Sequence, residues 1–585
     1  MTVDTTKFQD FNVKECLILY TQKRYDKLCQ EIFAVLKHCH EVYYSSFSTT
    51  DLKYLNAYVE FVLFLLAQED FQFPGKWVPL FVNVSHLFAN LVVISNHKIT
   101  DGFLKSIIQQ DHNYAKILFL YTCRSDISID FKSLINPNPQ LATLWWNNFS
   151  VAPPGSTSEH LYTQMQRHLL EFPTNLDLPD IRVQPVYFQC SYFGINDRPI
   201  KEWYNDQVRK FANLYKIRSK VRKGSIAIVT DKWIPTTAVY KSSYPQIAKL
   251  AEKYDLTLVC SDQINMEQVD RSLFNHVVSV HIGVDQISIQ SIVQNDFELA
   301  YFPDIGMTNE SVFLANLRLA PIMVCGYGHP VSTYGSFINY FIGGIDSELA
   351  HLAQENYSER LILIPGLGAH PVDPQYTRRH PIQTDTTYIN CCWTTAKINW
   401  PMLRMLQNIQ KQSSCKIHYQ FFPSWTCTRY NSFIILANEL NRLFKNQASV
   451  YPNLEYHDYL AKLEQGTLTV DSYPFGGYNT IVDSLFAGCP VVTIEGTKFY
   501  NRAATALTKR VGADLATDCI VECEQKILSL LENPEELTQV RDKLIDVDRL
   551  RQLLIATDEP QYFVKAIDYI LANHPIPGKQ PIIIT

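Results

Sequence analysis

Two successive series of short β-rich runs, separated mostly by helix-like segments of about ten to fifteen residues, confine this chain to an α/β architecture. The first series is SIAIVT (225–230), LTLVC (ending at Cys260), VVSVHI (277–282), LAYF (299–302) and PIMVC (321–325). The second is TYINCCW (387–393), CKIHYQFF (415–422), TLTV (467–470) and PVVTI (490–494). Such alternation predicts parallel sheets covered by helices on both faces. Around 365 to 385 the stretch PGLGAHPVDPQYTRRHP, rich in proline and without periodicity, reads as a linker between the series. Two tandem domains of this kind face each other across a cleft. Ligands of open α/β sheets bind beyond the carboxyl ends of the strands, inside that cleft.

Residues 1 to about 180 read differently. LILYTQKRYDKLCQEIFAVLKHC and DLKYLNAYVEFVLFLLAQ repeat apolar residues at three- and four-residue spacing, the mark of amphipathic helices. The expected organisation is an N-terminal α-helical domain (1–180), a first Rossmann-like domain (181–375) and a second (376–585) that turns helical after Gly512 and ends in a strand-like tail, PIIIT. A chain of 585 residues is too long for one core, so several domains are expected. Trp145 and Trp146 read as a packing anchor. His38-Cys39-His40 has no second pair at ligand spacing and reads as a helix end, not a metal cluster. VAPPGSTSEH (151–160) is a breaker-rich loop. The basic segment 209–224 reads as a solvated helix face, with a docking surface as the alternative.

Composition removes several function classes. Charged residues are 19% and apolar residues 46%, as in a folded chain, and a net charge of −6 offers no basic footprint for nucleic acid. The N-terminus lacks a basic flank followed by an apolar run, so no secretory signal is expected. FVLFLLA (61–67) falls far short of the roughly 18 apolar residues of a membrane span. The 14 cysteines are scattered without a CxxC pair, which fits reduced thiols and a cytoplasmic location.

The chemistry concentrates in DSYPFGGYNTIVDSLFAGCPVVTIEG (471–496), read as strand, Gly-rich turn, helix from about Asn479 to Phe486, and strand. Glycines at 476 and 477 allow close backbone approach. The helix that follows offers unpaired N–H groups and a positive dipole end, a seat for phosphate. Asn479 is placed to cap it, and Asp483 one turn in points back towards the turn. In the same series WTTAKINWP puts Thr394, Thr395 and Lys397 just after a strand, where a lysine can neutralise a pyrophosphate.

Several long motifs in the right order make the chain resemble a known family. DIGMTNESVFLANLRLAPIMVCGYGHPVSTYGSFINYFI (304–342), YHDYLAKLEQGTLTVDSYPFGGYNTIVDSLFAG and TTAK are similar to the corresponding regions of the O-GlcNAc transferase-like glycosyltransferases. The match is closest to the bacterial cytoplasmic N-glycosyltransferases of high-molecular-weight adhesins, and it runs from about 185 to 515. The resemblance implies a GT-B arrangement of two facing Rossmann-like domains, the first on the acceptor side and the second on the UDP-sugar side, behind an all-α N-terminal domain. It implies an inverting transfer of a hexose, glucose favoured, from a UDP-sugar to a protein or peptide acceptor such as an adhesin, at Asn of Asn-x-Ser/Thr. By the same resemblance Lys397 holds the diphosphate beside Thr394 and Thr395. Gly476 and Gly477 admit the phosphates next to Tyr478 and Thr480, and Asn479 and Asp483 contact nucleotide and ribose. His329, of the GHP motif, matches a family histidine.

Two segments depart from the pattern. The family's HD-VYMHCSYD-like stretch is QPVYFQCSY here (184–192), keeping Tyr192 but placing Gln189 and Pro185 where ionisable groups stand. WIPTTAVYKSSYP (233–245) likewise lacks the family's histidines. Neither Gln nor Pro can act as a base, which leaves Asp231 and His329 as candidates, or a different acceptor, or lost catalysis. A non-catalytic adaptor and a glycan-extending transferase are the competing readings. The D-x-D at Asp546–Asp548 lies in a charged helical run, so no metal and no cofactor are expected.

Overall fold

Burial of one face of each amphipathic segment builds the structure, a computed structural model that describes residues 9–41, 46–109, 111–150, 153–171, 176–177, 184–215, 220–283, 286–293, 296–379, 385–424 and 431–585. The expectation about the extreme N-terminus therefore falls largely outside the described residues, as do parts of the proposed linker (380–384) and of the basic segment (216–219). The chain divides into two units. One comprises Met1–Pro179, Trp393–Gln407 and Tyr419–Leu454; the other comprises Asp180–Cys392, Asn408–His418 and Glu455–Thr585.

The first unit is dominated by helices. The longest are Tyr25–Glu41 and Thr49–Ala67, the latter opened by a capping box between Ser48 and Asp51. The run predicted as one helix from 17 to 39 is broken at Lys23, whose φ of 57° lies in the left-handed region. Trp145 and Trp146 are buried as expected. Trp145 stacks on Tyr121 with ring centres 5.8 Å apart and donates its indole N–H to the Tyr121 carbonyl at 2.9 Å. Cys39 is buried in its helix, and among the described residues no group of three or more His, Cys, Asp or Glu is arranged to hold a metal ion.

The second unit carries the sheets that position the site. Its first series gives β1 (Arg222–Val229), β2 (Asp255–Ser261), β3 (His276–Ile282), β4 (Ile287–Ser288), β5 (Phe297–Phe302), β6 (Ile322–Cys325), β7 (Tyr340–Gly344) and β8 (Arg360–Ile364). The chain's second series gives β9 (Thr386–Cys391), β10 (Lys416–Phe421), β11 (Ala448–Val450, in the first unit), β12 (Leu468–Val470), β13 (Val491–Ile494) and β14 (Ala516–Thr517), and the tail gives β15 (Ile582–Ile583). β9, β12, β13 and β14 lie side by side in that order, all parallel. β10 pairs in parallel with β11 through Tyr419 and Ala448, in the first unit.

The first sheet runs β15-β8-β7-β6-β5-β1-β2-β3-β4 and is parallel except for β4. β2 joins β1 on one side and β5 joins it on the other, so the order reverses at β1 and opens a crevice at the carboxyl ends of β1 and β5. The C-terminal helix Pro560–Asn573 and β15 pack with this first sheet. Phe563, Ala566, Ile567 and Ile570 enter its core beside Ile226, Tyr301 and Ile362. The stretch read as a linker is pinned: His370 and Val372 donate backbone N–H groups to Ser242 and Lys241, and Arg378 reaches the Phe486 carbonyl at 2.9 Å.

Phe563 is 1% exposed and meets Tyr301 edge-on at 5.1 Å. Phe563→Ala should cost about 3–5 kcal/mol, read as a lower unfolding midpoint in urea, with the change reported by probes in the first sheet. A loss under about 1 kcal/mol would show that the helix is not part of that core.

Candidate active site

The Gly-rich stretch folds much as its pattern predicts, with different internal roles. The helix runs Asn479–Phe486, but Tyr478 occupies the cap position and makes no side-chain capping bond. Asn479 is therefore the first helical residue and not the cap. Its amide donates to the Ala238 carbonyl at 2.9 Å, at the start of the helix Ala238–Ala251. Nor are the glycine N–H groups open for phosphate. Gly476 donates to the Tyr500 carbonyl and Gly477 to Asp471 Oδ1, each at 2.8 Å.

Glycine is required there by crowding. A β-carbon at 476 would sit 2.6 Å from Asp471 Oδ2 and 2.8 Å from the Tyr500 carbonyl. One at 477 would lie 2.3 Å from the Thr480 hydroxyl. The backbone N–H groups of Tyr478, Asn479 and Thr480 have no partner among the described residues, so the open donors lie at the helix start, where the pattern predicts them. Asp483 is buried and accepts the Tyr456 hydroxyl at 2.5 Å, where it was expected to point back at the turn. Burial pushes its carboxyl up to about 6, against the pull of Lys241 and Tyr456. Lys241 itself stands over the Tyr456 ring at 3.4 Å.

His329 is held in one state. The loop after β5 wraps it: Ile305 O lies 2.7 Å from Nδ1, so Nδ1 carries the proton and donates it, and the His329 N–H bonds Pro303 O. Gly306, at φ +98°, lets the loop pass, since a β-carbon would lie 3.2 Å from Nδ1 and 3.0 Å from the Tyr187 ring. Phe188 stacks on the imidazole at 4.8 Å. Burial, reinforced by the Lys201 charge, lowers the imidazole to about 3, so the ring is neutral. Nε2 then presents a lone pair, buried and without a partner. On the acceptor-side segment, Tyr192 stacks on Phe475 with centres 4.1 Å apart and planes 13° apart, and Phe475 stacks on Tyr500 at 4.5 Å. Gln189 ends the helix Gln184–Gln189, with its Oε1 buried and unpaired.

Asp231 follows β1 in the crevice, where its Oδ1 accepts the Ser261 N–H at 2.6 Å. Burial raises its carboxyl. Beside it stand Asp304, at the end of β5, and Glu310, which accepts from the Ser261 hydroxyl at 3.3 Å. Asp304 was not anticipated. The signal was available, an acid just past a strand as Asp231 is, but it means something only once β1 and β5 are known to be neighbours. Asp304 is 0% exposed, and burial raises its carboxyl to about 7 against the opposing effects of Thr230 and Lys232.

Thr394, Thr395 and Lys397 belong to the first unit. Thr395–Lys397 form a single 3-10 turn after the buried Trp393, and Asn399 then caps the next helix by accepting the Met402 N–H at 3.2 Å. The loop after Pro153 clamps this turn. Ser156 N–H bonds Ile398 O at 2.9 Å, and a β-carbon at Gly155 would strike Ile398 and Thr395. Lys397 is half-buried. Asp546 and Asp548 are apart from these residues in role: Asp546 caps a helix and Asp548 pairs with Arg551 on the surface.

With this geometry in view, comparison with known proteins is informative. No family model matches the chain. A UDP-glucose:protein N-beta-glucosyltransferase from Actinobacillus pleuropneumoniae serotype 5b is 23% identical over 540 residues, 85% of each chain. The resemblance is to the O-GlcNAc transferase-like glycosyltransferases. The Petunia hybrida protein SPINDLY, a probable UDP-N-acetylglucosamine–peptide N-acetylglucosaminyltransferase, is 23% identical over 242 residues, 39% of this chain and 25% of that protein. Among solved structures, a variant of the Thermobaculum terrenum O-GlcNAc transferase covers 98% of both chains with a TM-score of 0.55 at 12% identity, which establishes the likeness of fold. The fold is of the GT-B glycosyltransferase class, mixed α/β with parallel sheets and a helical N-terminal region.

Because the raised Asp304 keeps its proton up to about 7 in the folded chain, whereas the unfolded carboxyl ionises from 3.8, folding loses stability as pH climbs between those values. Asp304→Asn removes the effect. The melting-temperature advantage of the variant should grow from about pH 4 to about pH 7 and level off above. A pH-independent difference would place Asp304 in an ordinary ionised state.

Proposed function

We propose that the protein is a UDP-sugar-dependent glycosyltransferase that moves a hexose, glucose favoured, to a protein acceptor. The observation that carries the reading is the neutral, buried His329 with an unpartnered Nε2, in a fold resembling protein glycosyltransferases over 85% of the chain. In this reading the open N–H groups at Tyr478–Thr480 and the helix dipole receive the diphosphate. Asn479 and Asp483 hold nucleoside, and the resemblance gives Lys397, with Thr394 and Thr395, the task of neutralising the departing UDP. The acceptor attacks the anomeric carbon once, the bond to UDP breaks, and the acceptor's proton passes to His329 Nε2, giving inversion. Asp231 serves the same crevice by positioning Ser261 and is the second candidate for the proton, with its Oδ1 already engaged.

A metal-free mechanism is part of this proposal, with the open N–H groups and the helix dipole taking the departing charge. Asparagine in Asn-x-Ser/Thr, an adhesin as the natural acceptor and a cytoplasmic location are further parts of this proposal. They are supported by the glucosyltransferase resemblance.

The test is UDP release with UDP-glucose, UDP-galactose and UDP-GlcNAc, with and without an Asn-x-Thr peptide. Peptide-stimulated release with UDP-glucose is expected, insensitive to chelator. His329→Ala should lower it roughly 10²- to 10⁴-fold, and Lys397→Ala should lower kcat strongly. Bound UDP without release from any donor would instead favour the adaptor reading that the altered acceptor-side segments raise.

A further inference from the structure

The breaker-rich loop of the first unit is buried from Pro153 to Thr157, where a solvated connection would be exposed. It lies as a strap across the turn Thr395–Lys397 of the same unit. Lys397 N–H closes that turn on Thr394 O at 2.8 Å, and Ser156 N–H bonds the next carbonyl, Ile398 O, at 2.9 Å. Gly155, at φ +92°, would put a β-carbon 2.7 Å from Ile398 O and 2.8 Å from Thr395 O. The strap therefore touches the backbone on both sides of Lys397.

The strap is also tied to the helical region. The Thr157 hydroxyl donates to Glu439 Oε2, on the helix Ser432–Leu443, and Glu439 Oε1 accepts Arg124 Nη1 at 3.3 Å. Arg124 stands in the loop after the helix Tyr114–Leu120, where its backbone N–H donates to Thr122 Oγ1 at 3.4 Å. One residue on, Ser125 O meets His160 Nε2 at 3.0 Å, just past the strap. A continuous line of contacts runs from Arg124 through Glu439, Thr157 and Ser156 to Ile398.

Stability does not explain this line. The Arg124 and Glu439 side chains are only 13% and 18% exposed, so desolvation cancels much of their attraction. Arg124 Nε and Nη2 are buried without an acceptor, which adds to the cost. Two apolar side chains of similar volume would hold the same elements together at least as well. What an apolar pair cannot do is accept the Thr157 hydroxyl, and that bond fixes where the strap sits. We infer that Arg124 and Glu439 are positioning residues of the sugar-donor site, holding Lys397 in place through the strap 153–157. The inference rests on the proposed role of Lys397 and extends it to the helical region: Arg124 orients Glu439, Glu439 orients Thr157, and neither charge acts on the donor itself.

The assay is UDP-glucose hydrolysis without acceptor, with kcat, KM and melting temperature measured for each full-length variant. Arg124→Met/Glu439→Leu makes the pair apolar. Arg124→Met/Glu439→Gln keeps an oxygen for the Thr157 hydroxyl, and Thr157→Val removes that hydroxyl alone. The Met/Leu and Thr157→Val variants should melt close to the unaltered protein yet lose kcat about 10- to 100-fold, the scale of a misplacement of about 1 Å, with KM changing far less. The Met/Gln variant should recover most of the lost kcat. Full kcat in the Met/Leu and Thr157→Val variants would overturn the positioning role, as would a loss that follows melting temperature and is not recovered by Gln at 439. Lys397→Ala in the same assay separates the inference from its premise. A strong loss there, with none in the strap variants, overturns the positioning role alone. Full activity of Lys397→Ala overturns the donor role of Lys397 and the inference with it, and no hydrolysis by the unaltered protein overturns both.

Discussion

The aromatic stack of Tyr192, Phe475 and Tyr500 is the contact from which the site in the second unit hangs. Its rings come from the acceptor-side segment, from the Gly-rich turn after β12 and from the loop after β13. Near-parallel stacking at 4.1 Å and 4.5 Å therefore fixes the relative position of three chain segments, two of which are also joined by the Gly476 N–H to Tyr500 carbonyl bond. The close approach explains the small residues around it. Gly194 leaves 3.3 Å between a would-be β-carbon and Pro474, and Gly476 admits both Asp471 and the Tyr500 carbonyl. His329 lies 6.3 Å from Phe475 and 4.8 Å from Phe188, so both the stack and Phe188 border the imidazole.

Enclosure of that kind decides the chemistry available. A histidine in water is half-charged near pH 6.5, and only its neutral fraction can accept a proton. Here burial and the nearby Lys201 keep it neutral across the physiological range, and the Ile305 carbonyl assigns the proton to Nδ1. In the proposed role of base, the ring is thereby always unprotonated at Nε2, at the expense of intrinsic basicity. On the donor side the division of labour is similar. Side chains and carbonyls occupy the glycine N–H groups, and the open donors belong to the first turn of the helix Asn479–Phe486, where the dipole adds to them.

Much of this was legible in the sequence, and the limits have identifiable causes. Period and punctuation placed each β-rich run named in the two series within a few residues of a strand and gave the Asn479–Phe486 helix its bounds, because burial of alternate runs is a local property. β4, β7, β8, β11 and β14 escaped notice since segments of two to five residues show no period of their own. Packing of the C-terminal helix and tail against the first sheet is non-local and leaves no trace in pattern. The same holds within the site. Glycines 476 and 477 announced close approach, but only the fold shows that Asp471 and Tyr500 are what approach. Asn479 looked like a cap because Asn favours that position; its reach to Ala238 depends on a neighbour 241 residues away. Asp304 and the Arg124–Glu439 pair become meaningful only through strand order and loop placement.

The account depends most on the state of His329. Nitrogen NMR of the imidazole, followed from about pH 4 to pH 8 in the unaltered protein, reads it directly. A neutral ring with the proton on Nδ1 throughout, and Nε2 in the unprotonated shift range, is the predicted result. A ring that titrates near the ordinary histidine value of about 6.5 would contradict it, showing an open, solvated histidine and removing the basis on which it is assigned as the proton acceptor.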